Sequence, residues 1–311
     1  MNVVWLIGSG AMARDYMPVL EALDCSTIVF GREGPRASRF REETGLPVNT
    51  QPIAQYQGKT ADVAIVCVST NQLSVVASEV ISAGVKDVLV EKPAALTLPD
   101  LVALRDQAKA KGARVFIGYN RRHFAAVEAA REIINEDGGV TSFVMELTEW
   151  AHVIGGLEKA SEELERWFLA NTTHVVDLAW HLCGKPVEVN AFVGGRLSWH
   201  PSARFSGAGV TSEGATFSYF GDWESAGRWS LEVSTRERRL VFRPMEALQV
   251  QMKGSIAIEP HAIDDELDQN FKPGLYRQVD RFLSGQDQYL CSIDEHIESW
   301  PWYEKMAGYQ L

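Results

Sequence analysis

The sequence predicts an α/β protein in two parts: an N-terminal doubly wound parallel sheet, then an α+β domain with an open, mostly antiparallel sheet. Three observations predict it. The first 120 residues alternate short β-branched runs with helical patterns, as parallel strands joined by crossover helices do. Those runs are continuously apolar, as in strands covered on both faces. After Gly118 they give way to segments that alternate apolar and polar residues, the pattern of a sheet with one face open.

The strands of the first part are expected over residues 3–7, 27–30, 63–68, 87–90 and 114–117. Helical periodicity fills 11–22, 36–44, 74–83 and 99–111, the last stopped by Gly112. In the second part a helix is expected over 124–135 and strands over 142–148, 187–193, 216–220 and 229–233. A long helix over 162–182 separates the first two of those strands, and helices over 276–283 and 294–306 close the chain. No repeat, low-complexity tract or flexible linker intervenes, so the boundary is set near residue 120, with domains 1–120 and 121–311.

A chain of 311 residues is long enough for two cores, and 46% hydrophobic with 23% charged residues is ordinary globular composition. The formal net charge of −11 repels phosphate backbones and disfavours a nucleic-acid partner, so any bound anion needs local donors. Cys25, Cys67, Cys183 and Cys291 lack CxxC spacing and read as reduced thiols. No apolar run reaches the roughly 18–20 residues of a membrane helix, and the opening MNVVWLI runs into glycines without a basic region. The expectation is a cytoplasmic protein with no membrane partner.

The loop Gly8-Ser9-Gly10-Ala11-Met12-Ala13 follows a strand and opens a helix. In GxGxxA the first glycine allows the tight turn, the second lets backbone approach a pyrophosphate, and the small third residue allows close helix packing. The free N–H groups of the helix start then face the anion. Chains that bind NAD usually carry a carboxylate at the end of the second strand for the ribose hydroxyls. Here that place reads Phe30-Gly31-Arg32. Arg32, supported by Arg36 or Arg39, offers donors to a 2′-phosphate, which favours NADP with NAD still possible; the plain alternative is a solvated surface arginine.

The fourth strand ends in Glu91-Lys92-Pro93, a charged pair at the carboxyl edge where open α/β sheets bind ligands. A lysine partly desolvated there exchanges a proton with a hydroxyl or carbonyl, and Pro93 fixes the backbone beyond it. The alternative is a surface pair. The fifth strand ends in Gly118-Tyr119-Asn120-Arg121-Arg122: Asn120 reads as a nicotinamide or ribose contact, Tyr119 and Arg121 as substrate contacts, with a domain-closing salt bridge by the arginines as the alternative. His174, Asp177 and His181 share one helix face, either as metal ligands or with His174 as a proton-transfer or substrate-orienting residue and Asp177 and His181 as packing or hydrogen-bonding groups. The helix offers no further ligand, which favours no metal. The nine tryptophans, among them Trp167, Trp180, Trp199, Trp223 and Trp229, are given no role, since aromatic residues at this spacing usually fill cores.

Taken together, GSGAMA, EKP at 91–93, GYNRR at 118–122 and HVVD at 174–177 resemble the Gfo/Idh/MocA family, the glucose–fructose oxidoreductase and inositol dehydrogenase group. The resemblance implies a Rossmann domain and an α/β domain whose open sheet makes homodimer or homotetramer contacts. It also implies NAD(P)-dependent oxidation or reduction of sugars, cyclitols or nucleotide-sugar-like compounds, a CH–OH dehydrogenase. By that similarity Lys92 is the catalytic lysine and His174 the histidine of the catalytic helix. The cofactor set is then Gly8, Ser9, Gly10, Ala11, Met12, Arg32, Ser69, Thr70, Asn71, Glu91, Lys92 and Asn120. The substrate set is Lys92, Tyr119, Arg121, Asn171 and His174. The sequence departs from the family's DxGxH pattern at Ala170, which is followed by Asn171-Thr172-Thr173, and a histidine often seen after the third strand's Asn is Leu73. Asn171 can hydrogen-bond a hydroxyl but cannot take its proton, which leaves acid–base work to Lys92 with His174. The lost carboxylate also motivates the alternative of a non-catalytic, NADP-binding sensor.

Overall fold

The computed structural model describes residues 2–309. It divides into two compact units, Met1–Asn120 with Leu267–Glu298, and Arg121–Glu266 with Ser299–Leu311. The first unit runs β1 (Val3–Ile7), α1 (Ala11–Ala22), β2 (Ser26–Phe30), α2 (Pro35–Thr44), β3 (Val48–Asn49), β4 (Val63–Val66), α3 (Leu73–Ser82), β5 (Asp87–Glu91), α4 (Leu98–Lys111) and β6 (Arg114–Gly118). These strands are parallel in the order β6-β5-β4-β1-β2-β3. The winding reverses at β1, so the loops after all of them emerge at one carboxyl edge beside the switch point. The continuous apolar runs are buried along their length in β1, β4 and most of β5. Strand β3 has two residues, too few for any periodicity to register. Helix α4 begins at Thr97, whose hydroxyl accepts from the Asp100 N–H, and stops at Gly112 with φ +61, as its glycine foretells.

The second unit runs α5 (Ala125–Glu136), β7 (Ser142–Glu146), α6 (Ala151–Ile154), α7 (Ser161–Glu165), a π turn at Phe168–Thr172 and α8 (Thr173–Cys183). Seven strands follow: β8 (Pro186–Gly194), β9 (Arg204–Thr211), β10 (Thr216–Asp222), β11 (Ser230–Ser234), β12 (Arg238–Phe242), β13 (Gln249–Met252) and β14 (Glu259–Pro260). The sheet order is β14-β13-β12-β11-β7-β10-β9-β8, antiparallel except where β7 meets β10. Both halves therefore have the fold class expected. Strand β9 escapes the sequence pattern because RFSGAGVT carries glycines at 207 and 209, where its partner β10 supplies Tyr219 and Phe217 opposite. Helix α8 packs on β7 and β11. Phe220 of β10 and Phe192 of β8 both lie opposite Ser206 of β9, in one cross-strand row, and both rings are exposed.

After α9 (Glu266–Asn270) come α10 (Leu275–Leu283), β15 (Cys291–Ser292) and α11 (Ile293–Ala307). Residues 267–298 belong to the first unit, where the sequence places the whole of 121–311 in the second. The physical reason is the apolar face of α10: Leu275, Val279 and Phe282 join Val4, Leu6, Leu20 and Phe40 in one core, and β15 adds an antiparallel edge strand to β6. An amphipathic pattern announces that a face is buried but not in which core. Among the described residues no helix is long and apolar enough to cross a membrane, and the four cysteines are free thiols.

Candidate functional site

The turn after β1 is held by hydrogen bonds from Gly8 N–H to Phe30 O (2.8 Å) and from Cys67 N–H to Ile7 O (2.8 Å). Gly8 has φ +135, and a Cβ there would lie 2.6 Å from the Cys67 carbonyl oxygen, so only glycine fits. Gly10 differs: its backbone is extended, and a Cβ would meet nothing within 4 Å. The space before the second glycine is open at the start of α1, whose first turn holds no acidic residue and whose N-cap has no side-chain bond. Unmade N–H groups beside open space are what a pyrophosphate requires. These residues fit a dinucleotide. Ala11 is exposed and Met12 half-buried at that helix start, whereas the Ser9 side chain is buried against Gly31. Lys272, which sequence reasoning missed, joins them: its Nζ lies 3.0 Å from Met12 Sδ and 2.7 Å from an Asp15 oxygen. A lysine before the Pro273-Gly274 turn carried no sequence signal, because it enters this site only through the return of the chain.

Beyond β2, Arg32 and Arg36 are exposed. Arg39, offered as their support, pairs its guanidinium with Glu43 at 2.6 Å on the surface of α2. A carboxylate does stand one residue past Arg32, but Glu33 is gripped by both ends of the Arg41 guanidinium, at 2.9 and 2.6 Å. That pairing holds the Glu33 carboxyl below the usual range. Ser69, Thr70 and Asn71 occupy the short turn after β4, on the same carboxyl edge.

At the end of β5 the charged pair splits. The Glu91 side chain turns inward, buried, and accepts a hydrogen bond from the Tyr16 hydroxyl at 2.8 Å. Burial raises its pKa, opposed by the charge of Lys92 and the Tyr16 bond. Glu91 thus holds β5 to α1 through its side chain, which removes the surface-pair alternative. Lys92 is half-buried, and the turn beyond it is pinned by His296 of α11, whose Nε2 lies 3.0 Å from the Pro93 carbonyl oxygen. A carbonyl can only accept, so Nε2 carries the proton. Tyr119, expected at the substrate, is instead buried with its ring 5.5 Å from that of His296. The Asn120 amide donates to the Pro273 carbonyl (2.9 Å), clasping the returning segment.

In the second unit the predicted helix over 162–182 is interrupted at Arg166 and widened to a π turn over Phe168–Thr172, where Glu149 meets it. This buried carboxylate, just past β7, accepts from Trp167 Nε1 (2.9 Å), Asn171 Nδ2 (2.7 Å) and Thr172 Oγ1 (2.5 Å). The wider turn brings residues 171 and 172 to one acceptor, a frequent use of π geometry at functional sites. Burial raises the Glu149 pKa against the pull of those three donors. Although Ala170 removes the family's usual aspartate, a carboxylate reaches the start of α8 from another strand, and it turns the Asn171 amide so that its oxygen is the outward group. His174 is buried on α8, with its ring 6.3 Å from that of Trp229. Asp177 and His181 do not join it. Asp177 takes a two-point bond from Arg122 (2.8 and 2.5 Å), both residues buried, and His181 Nε2 lies 2.8 Å from an Arg131 nitrogen. Arg122 therefore closes an ion pair within its own unit. Arg121 lies over the Trp229 ring at 4.9 Å.

Residues 2–119 match the Gfo/Idh/MocA model described as an oxidoreductase family with an NAD-binding Rossmann fold. The first unit carries the Gfo/Idh/MocA Rossmann domain. Residues 2–119 accordingly have the NAD-binding Rossmann fold of an oxidoreductase family. No curated protein sequence matches it. Among solved structures it is similar to UDP-N-acetylglucosamine 3-dehydrogenase GnnA from Acidithiobacillus ferrooxidans, at 16% identity over 99% of this chain and 97% of that one, TM-score 0.78. It is similar to levoglucosan dehydrogenase in complex with NADH, at 17% identity over 99% and 96%, TM-score 0.80. It is also similar to an oxidoreductase from Agrobacterium radiobacter in complex with NAD+, L-tartaric acid and magnesium, at 13% identity over 97% and 94%, TM-score 0.79. At these identities the likeness is one of fold across both units.

Proposed function

We propose that this protein is an NADP-preferring dehydrogenase or reductase that moves hydride between the nicotinamide and a carbinol carbon of a sugar, cyclitol or nucleotide-sugar-like substrate. The observation that carries the reading is Lys92, half-buried on a turn pinned by His296, at the carboxyl edge that also bears the Gly8–Gly10 loop. Levoglucosan dehydrogenase and UDP-N-acetylglucosamine 3-dehydrogenase, similar in fold over almost the whole chain, supply the substrate class. Bound NADP supplies the hydride acceptor. The residues of this chain do the rest. Neutral Lys92 Nζ takes the hydroxyl proton as the carbonyl forms, and returns it in reduction. By the family resemblance His174 orients the substrate, and the Asn171 oxygen accepts from one of its hydroxyls. Arg32 and Arg36 receive the 2′-phosphate, since Glu33 beside them is already neutralised by Arg41. Exposed Phe192 and Phe220 on the open sheet favour a homodimer or homotetramer formed through that face.

The deciding experiment titrates NADPH and NADH against the purified protein, then against Arg32→Asp, and screens sugars and polyols for turnover. Arg32→Asp is expected to weaken NADPH by about 10–100-fold, the worth of one or two charge-assisted hydrogen bonds, and NADH little. Equal weakening overturns the NADP assignment. Lys92→Ala is expected to lose about 100- to 10,000-fold in kcat while NADPH still binds. Full turnover in that variant refutes the role of Lys92, and cofactor binding without turnover of any compound points to the sensor.

A further inference from the structure

Apart from the dinucleotide loops, the second unit holds a cavity of about 270 Å³ lined chiefly by Arg121, Arg228, Trp229, Arg243 and Glu246. In a chain of net charge −11, three arginines around one small cavity stand out. Their positions are built. The Arg121 and Arg228 guanidiniums lie over the Trp229 ring at 4.9 and 4.8 Å, and Arg228 also lies over Trp150 at 5.2 Å. Stacking fixes the plane of a guanidinium while its N–H groups, which lie in that plane, stay able to donate. Behind them the buried Glu146 accepts from the Arg228 backbone N–H (3.2 Å) and pairs with the Arg243 guanidinium, which also reaches Ser230 Oγ at 3.1 Å. Gly227 makes this approach possible, because a Cβ there would lie 2.4 Å from the Glu146 carboxylate.

Two further observations point to a ligand. Trp229 is only 5% exposed, yet its indole N–H finds no hydrogen-bond partner among the described residues, a loss that buried donors seldom bear. The other is position: the Trp229 ring that lines the cavity also neighbours the His174 ring, at 6.3 Å between centroids. A group held here sits one indole away from the histidine of the proposed chemistry. The lining arginines outnumber the lining carboxylate three to one, and Glu146 offsets one more charge. One net positive charge suits a monoanion better than a dianion.

We propose that this cavity binds the carboxylate of a sugar acid, and that the bound carboxylate sets the substrate's carbinol carbon against His174. This rests on the hydride-transfer reading for the role of His174, but binding can be read without turnover. The test is calorimetric titration of the NADP-loaded protein at low ionic strength with glucuronate, glucose and glucose 6-phosphate. Glucuronate is expected to bind at least about 10-fold more tightly than glucose. Arg228→Gln and Arg243→Gln are each expected to lose about 10-fold in glucuronate affinity, while Arg239→Gln, whose guanidinium pairs with Glu232 elsewhere on the sheet, leaves it unchanged. Equal binding of glucuronate and glucose, tighter binding of glucose 6-phosphate, or wild-type affinity in both cavity variants overturns the proposal. If glucuronate binds through these arginines but neither it nor any other sugar is turned over, the cavity stands and the hydride reading falls. Turnover of neutral sugars with no effect of the arginine variants gives the reverse result.

Discussion

Two glycines two residues apart in one loop are expected to fail in opposite ways. Alanine at Gly8 must adopt φ +135 and place its Cβ 2.6 Å from the Cys67 carbonyl oxygen. A sparsely populated backbone conformation costs about 1–3 kcal/mol and a forced contact about the same, so Gly8→Ala is expected to lose roughly 2–6 kcal/mol of stability. Gly10 has φ −83 and ψ −165, ordinary for alanine, and its Cβ would meet no atom within 4 Å. The fold of Gly10→Ala is therefore expected to be unchanged within about 0.5 kcal/mol, or slightly stabilised through the unfolded chain. Its methyl group, however, occupies the ground a pyrophosphate needs. Loss of one or two hydrogen bonds to charged oxygen weakens NADPH by about 10–100-fold. Urea denaturation of both cofactor-free variants, followed by fluorescence titration with NADPH, separates the effects. Wild-type NADPH affinity in Gly10→Ala would refute the pyrophosphate site, and wild-type stability in Gly8→Ala would refute the steric argument.

Three other outcomes follow from buried charge. Asp177→Ala leaves the Arg122 guanidinium, 4% exposed, without its two-point partner, and is expected to cost about 3–5 kcal/mol by urea denaturation, most of it recovered in Arg122→Met with Asp177→Leu. A cost under about 1 kcal/mol would show the pair to be incidental. Glu149→Gln presents an amide to three donors, which releases Asn171; substrate kcat/KM is expected to fall about 10-fold with NADPH affinity unchanged, as steady-state kinetics and cofactor titration report. Burial lowers the His200 pKa to about 4 from 6.5. Between those values the unfolded chain binds the extra proton, so stability is full above pH 6.5 and falls as pH drops toward 4, by about 3 kcal/mol from this residue. Denaturation midpoints at pH 7 and pH 4 in wild type and His200→Gln measure that share by difference, and equal slopes would refute it.

The parallel sheet was legible in the sequence because its signals are local: unbroken apolar strands, helix caps and a glycine stop at Gly112 each act within a few residues. The Gly8–Gly10 loop and Lys92 were legible for the same reason. What escaped is what the chain assembles from a distance. Lys272 reaches Met12 across 260 positions, and Glu149 reaches Asn171 from the end of another strand. His296 reaches the Pro93 carbonyl across 203 positions. Glu91 reads as a cofactor contact beside Lys92 because a sequence does not show that Tyr16 stands opposite its side chain. The shared helical face of His174, Asp177 and His181 is real, and its second and third members serve as hydrogen-bonding groups, one of the two readings the sequence offers, though periodicity does not name Arg122 and Arg131 as their partners.

The return of residues 267–298 bears on the order in which the protein is made. When the first 120 residues have left the ribosome, every parallel strand and the whole GSGAMA loop exist. Leu275, Val279 and Phe282, which complete the core under β1 and α1, are still unmade, as are β15 and Lys272. The dinucleotide loop is thus synthesised well before the residues that finish the core beneath it.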